Sequence, residues 1–171
     1  MILIRILLSV VFAWTFWKTA SVMLLHESMD LTLLRGRGEE WIFWSLVPAI
    51  GILTLGALTY LWAPSAILYR AAQAAIAISF LETLTVGLVA ADDPPVAKAA
   101  FIASRNDRGL PVREEMLQLL ENPNAHYWQI VLAAALSALW LYLLFILERR
   151  RRRDEAERNQ TNVTPAFTDW H

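Results

Sequence analysis

The feature that most constrains this chain is a long apolar run that ends in a block of arginines. Residues 127–147 are almost wholly apolar and begin with Tyr127 and Trp128. A hydrocarbon core about 30 Å thick is crossed by about 20 helical residues, and aromatic rings are enriched at its interfaces. Five consecutive arginines close the run: Arg149, Arg150, Arg151, Arg152 and Arg153. Because arginine-rich flanks stay in the cytoplasm, the pattern predicts a membrane span with these residues as its topology determinants.

Three further apolar segments are long enough to span a membrane. The predicted spans cover residues 3–25, 41–62, 66–90 and 127–147. Residues 96–122 are amphipathic with helix-breaking residues between two segments, which favours a helical hairpin. The predicted fold is therefore an all-α integral membrane protein. We expect a four-transmembrane-helix bundle with a short extracytoplasmic helical hairpin between spans three and four.

The segments that flank the spans show different local signals. Alternating arginine and glycine at residues 35–38 favours an irregular turn in the segment that connects spans one and two. Asp93 followed by Pro94 and Pro95 is typical of the N-cap and first turn of a helix. Residues 149–171 are predicted to form a basic and then disordered tail, because the polar stretch from Asn159 lacks periodicity.

Topology follows from the arginine block. Four spans with a cytoplasmic carboxyl end place the amino end in the cytoplasm as well. The predicted hairpin and the first loop then lie outside. The composition, rich in alanine, leucine and arginine, and the short loops favour a multi-pass protein of the bacterial inner membrane.

Composition excludes several classes of function. Hydrophobic residues make up 57% of the chain and the mean hydropathy is +0.41, more than a soluble domain of this size can bury. The sequence contains no cysteine, which excludes disulfides, thiolate catalysis and cysteine-ligated metal centres. A net charge of −1 gives no general attraction to nucleic acid. No hydrolase, phosphate-loop or zinc-protease motif is found, so we expect no enzyme.

Lys18 and Glu82 are ionisable residues deep inside predicted spans. Lys18 lies 13 residues after Arg5, and Glu82 lies 12 residues after Arg70. Both therefore stand about 18 to 20 Å from the cytoplasmic interface. An isolated charge near the bilayer centre costs on the order of 3 kcal/mol, so we expect the two to pair. The pair would act as a proton or ion relay, or as a structural pin that selects one helix arrangement or anchors a partner's helix.

His26 and His126 are a second candidate pair. They lie at the outer ends of spans one and four, and two facing imidazoles could ligate haem or, with nearby carboxylates, a metal. No spacing motif accompanies them. We therefore predict no cofactor, while haem or metal binding through these residues stays open.

Three functional hypotheses follow. The first is a non-enzymatic accessory or scaffold subunit, with a membrane-protein partner or a second copy of the chain docking on the hairpin at 96–122. The second is a small transporter or an ion- or proton-conducting protein that uses Lys18 and Glu82. The third is haem or metal binding through His26 and His126.

Overall fold

The computed structural model describes residues 2–25 and 28–163. In these residues the chain is all-helical, with seven helices and no strand. The helices are α1 (Ile2–Leu25), α2 (Met29–Gly36), α3 (Glu40–Trp62), α4 (Ala66–Asp92), α5 (Pro94–Asp107), α6 (Glu114–Leu120) and α7 (Pro123–Val163).

Four of these helices are long and apolar enough to cross a membrane, as the sequence predicts. They are α1, α3, α4 and the Pro123–Gln160 part of α7. Their bounds lie within a few residues of the predicted spans, except that the predicted fourth span is only the apolar part of the longer α7. Hydropathy locates these helices because a backbone in hydrocarbon must satisfy its own hydrogen bonds.

The four long helices pack as neighbours in chain order. α3 contacts both α1 and α4, and α4 also contacts α7, whereas α1 and α7 touch only slightly. Glycines allow close approach at each main interface. A Cβ on Gly51 would lie 3.3 Å from Thr19 of α1, and one on Gly56 would lie 3.2 Å from Ala71 of α4. A Cβ on Gly87 would lie 2.7 Å from Ile130 of α7.

We call the end of the molecule at which α7 continues past the other long helices the tail end. Here all four long helices contribute to one buried apolar cluster, the tail cluster. Its members are Leu8, Phe12, Ala57, Tyr60, Leu61, Ala72, Ile76, Leu144 and Leu147. The cluster closes the space between the helices at this end.

The opposite end carries α2, α5 and α6, which together we call the cap. The connecting segment between spans one and two is partly helical, since residues 29–36 form α2, and the predicted turn is found at residues 37 and 38. Ser28 is its N-cap and accepts a hydrogen bond from the Leu31 backbone N–H at 3.0 Å. Leu31, Leu33 and Leu34 are at most 1% exposed. Their burial against the neighbouring helices explains why this short segment is helical.

α5 and α6 lie in the region of the predicted hairpin. The predicted cap at the start of α5 is confirmed: Asp93 accepts a hydrogen bond from the Val96 N–H at 3.3 Å. α5 packs mainly on α2 and also on α4, while α6 contacts α5 and α7. Small residues of α5, Ala97 and Ala100, are buried in this contact.

α7 continues well past its apolar run. Residues 159–163, predicted to be disordered, are helical, and residues 164–171 lie outside the described part of the chain. Arg151 pairs with Glu148 and Glu155 at helical spacings of three and four. Such pairs stabilise exposed helices, which explains why the helix does not stop at the arginine block.

Candidate functional site

A cavity of about 150 Å³ lies among α1, α2, α3 and α4, and we call it the charged chamber. Three ionisable side chains line it: Lys18 from α1, Asp30 from α2 and Glu82 from α4. Hydroxyl groups of α1 and α4 and the aromatic residues Trp14 and Phe43 also contribute to its wall. The two residues that the sequence predicts to share a depth therefore line one cavity.

Lys18 forms its ion pair with Asp30, at 3.8 Å between Nζ and a carboxylate oxygen. The side chain of Lys18 is 57% exposed and that of Asp30 is 27% exposed. A lysine inside a span extends its flexible stem towards the nearest interface, and here this direction leads to the cap. Asp30 was missed by sequence reasoning because its helix was taken for a loop.

Glu82 lies in the same chamber, near the charges of Lys18 and Asp30. Lys18 and Asp30 are the charges that act on it, the first attracting and the second repelling the carboxylate. Within residues 2–25 and 28–163, no side chain forms a hydrogen bond or a salt bridge with Glu82. The direct pair of Lys18 and Glu82 is thus not formed in this arrangement, and their interaction is one of proximity.

The threonines that line the chamber donate their protons to their own helices. Thr15 donates to the Val11 carbonyl at 2.9 Å, and Thr19 donates to the Thr15 carbonyl at 2.8 Å. Thr83 donates to the Ser79 carbonyl at 3.0 Å. A hydroxyl whose proton is engaged retains lone pairs, so it faces the cavity as an acceptor. The chamber wall is therefore rich in acceptors.

Two further cavities adjoin the chamber. One, of about 400 Å³, shares Trp14, Lys18 and Asp30 with it and reaches Arg108 of the cap. The other, of about 180 Å³, shares hydroxyl residues of α1 and α4 with it and reaches Trp140 near the tail cluster. The three cavities share lining residues and lie side by side between the cap and the tail cluster.

An ion pair ties the cap to the end of α4. Arg37, just after α2, donates a hydrogen bond to Asp92 at 2.9 Å. This hydrogen bond raises the pKa of Arg37 above its usual value. Because Asp92 is largely exposed, the pair contributes little to stability.

The histidines give no support to a metal centre. His126 is 4% exposed, and its Nε2 lies 3.0 Å from the Leu120 carbonyl oxygen. This contact links the start of α7 to the end of α6. His26 lies outside the described residues, within which no cluster of three or more metal-ligating side chains occurs. Haem or metal binding by the two histidines stays a prediction.

A buried carboxylate that sequence reasoning missed lies directly before the arginine block. Glu148 is 3% exposed and accepts a hydrogen bond from the Tyr60 hydroxyl at 2.8 Å. Arg151 donates to both of its oxygens at 2.8 Å, and Arg152 donates at 2.7 Å. This network, the Glu148 latch, joins α3 to α7 at the tail end. The only signal in the sequence is the spacing of three and four between the glutamate and the arginines.

No family model, no curated protein and no solved structure matches this chain.

Proposed function

We propose that this chain is a small non-enzymatic transport protein that admits a proton or small cation from outside the cell into the charged chamber. One observation carries the proposal: Lys18, Asp30 and Glu82 line a single cavity between helices that can span a membrane. Charged groups at such a depth cost on the order of 3 kcal/mol each unless they are compensated, and they commonly mark ion pathways.

In the proposed arrangement the four long helices form a bundle in the bacterial inner membrane. Both termini are cytoplasmic, the cap lies outside, and the charged chamber is reached from the side of the cap. The exposure of Arg149, Arg150, Arg152 and Arg153 at the tail end supports this orientation, because arginine-rich flanks remain in the cytoplasm.

The incomplete pairing of the charges favours transport over a purely structural pin. A structural pin needs one cation and one anion in contact. Here Lys18 is engaged by Asp30, and Glu82 keeps carboxylate oxygens that a proton or cation can occupy. The tail cluster lies at the other end of the four long helices. The proposed state is therefore one in which the chamber is reached from outside.

Ion uptake into proteoliposomes tests the proposal. Vesicles that contain a pH-sensitive dye are energised with a potassium gradient and valinomycin, and proton uptake is recorded for the purified protein. We expect uptake above that of empty vesicles and a decrease of about tenfold or more in Glu82→Gln, since the variant removes a carboxylate of the chamber. Glu114→Gln, an exposed acid of the cap, is the matched control. Vesicles that take up neither protons nor a radiolabelled small cation above the level of empty vesicles would refute the proposal, as would uptake unaffected by Glu82→Gln.

The accessory-subunit hypothesis is a second candidate. The observation in its favour is that α6, outside the spans, exposes Met116 and Leu119 by 40% and 51%. Apolar side chains exposed to water are typical of contact surfaces. Intact-complex mass spectrometry after purification in mild detergent should then show a stoichiometric second polypeptide that is lost in Met116→Ser. A partner-free protein would refute this candidate.

A further inference from the structure

We infer that the charged chamber binds a small organic ammonium ion that carries N–H donors, with methylammonium as the simplest member of the class. The inference rests on the proposed transport function and names its ligand. Charge, hydrogen-bonding capacity, size and wall chemistry support it separately.

The charge of the chamber favours a cation. It contains one ammonium group and two carboxylates, and the ammonium of Lys18 is held by Asp30 on the side of the cap. Among the described residues, Glu82 forms no salt bridge of its own, and Lys18 acts on it only from a distance. A small anion would meet two carboxylates and one cation that is already engaged, so anions are disfavoured.

The hydrogen-bonding capacity of the wall favours a donor. Thr15, Thr19 and Thr83 donate to backbone carbonyls and keep only their lone pairs for the cavity. Glu82 adds two carboxylate oxygens. An ammonium ion with N–H groups satisfies such acceptors, whereas a fully methylated ammonium has no proton to donate.

The chamber has room for a small ligand. A cavity of about 150 Å³ in another protein holds benzene, which has six heavy atoms, and the chamber has about the same volume. Trp14 and Phe43 are part of its wall. Aromatic side chains attract ammonium groups, and a short alkyl substituent gains apolar contact there. These features fit a small alkylammonium ion.

Two variants should change affinity in opposite directions. Lys18→Met removes the cation that competes with the ligand, so we expect methylammonium to bind about tenfold more tightly. Glu82→Gln removes the main counter-charge, so we expect binding about tenfold or more weaker. Lys98→Met is the matched control. Lys98 is the other lysine of the sequence, and it pairs with Glu121 in the cap region.

The test is calorimetric titration of the full-length protein in mild detergent at constant ionic strength. Methylammonium chloride is compared with tetramethylammonium chloride, sodium chloride and sodium acetate. Binding of methylammonium alone, with the two opposite changes and an unchanged Lys98→Met control, would support the inference. Equal binding of tetramethylammonium, or acetate binding that Lys18→Met weakens, would overturn it. Because Lys18→Met is expected to increase the affinity for methylammonium, it still tests the inference if Glu82→Gln fails to fold.

The result separates the ligand class from the transport function. If wild-type protein binds no methylammonium but still shows proton uptake that depends on Glu82, the ligand class is wrong and the transport function stands. If methylammonium binds with the expected changes but vesicles take up neither protons nor radiolabelled methylammonium, the binding site stands and the transport function is refuted.

Discussion

Replacing Glu148 by glutamine should destabilise the protein by about 3 kcal/mol. Glu148 is 3% exposed, and the change removes its charge while keeping its size. The change weakens three hydrogen bonds, one from Tyr60 and two from Arg151, and Tyr60 is itself only 1% exposed. Hydrogen bonds to a buried charge contribute about 1.5 to 3 kcal/mol each. Arg152 adds little because its side chain is 67% exposed. Since the losses overlap, about 3 kcal/mol is expected in total, a large part of the 5 to 15 kcal/mol typical of a folded protein.

Unfolding in mixed detergent micelles measures this loss. The purified protein is titrated with SDS, and the tryptophan fluorescence gives the free energy of unfolding of each variant. Tyr60→Phe should cost about 1 to 2 kcal/mol, and the double variant should cost less than the sum of the two single ones, because both remove the same hydrogen bond. Glu155→Gln is the control, since Glu155 pairs with the same arginine but is 55% exposed. We expect a loss below about 0.5 kcal/mol there. Equal losses in Glu148→Gln and Glu155→Gln would show that burial of the latch contributes nothing.

Two further predictions concern helix packing and orientation. Gly87→Ala should destabilise the protein by about 1 to 3 kcal/mol in the same assay, because the new Cβ would lie 2.7 Å from Ile130. Gly36→Ala is the control and should be close to neutral, because its Cβ would lie 3.5 Å from its nearest neighbour. A larger loss in Gly36→Ala than in Gly87→Ala would contradict the packing of α4 on α7. The chain contains no cysteine, so single cysteines can report its orientation. A membrane-impermeant maleimide should label Asn106→Cys in intact spheroplasts, and it should label Asp154→Cys only after permeabilisation. The opposite labelling pattern would show that the proposed orientation is reversed.

Sequence reasoning located the charged residues of the candidate site but not their contacts. It placed Lys18 and Glu82 at a common depth, and both line the charged chamber. It did not identify Asp30 as the partner of Lys18. The flexible stem of a lysine reaches several ångströms along a span, so depth counted in residues does not decide which carboxylate its ammonium meets. Glu148 was missed for a related reason, because its partner Tyr60 comes from another helix.

The sequence by itself determined the four apolar helices and the capped start of α5. Each follows from local chemistry: the transfer of an apolar run into hydrocarbon, or a side chain that satisfies the first N–H groups of a helix. The tertiary structure alone decided that residues 29–36 are helical and that Asp30 meets Lys18. A helix of eight residues is marginal on its own, and it forms here because three leucines are buried against α3, α4 and α5.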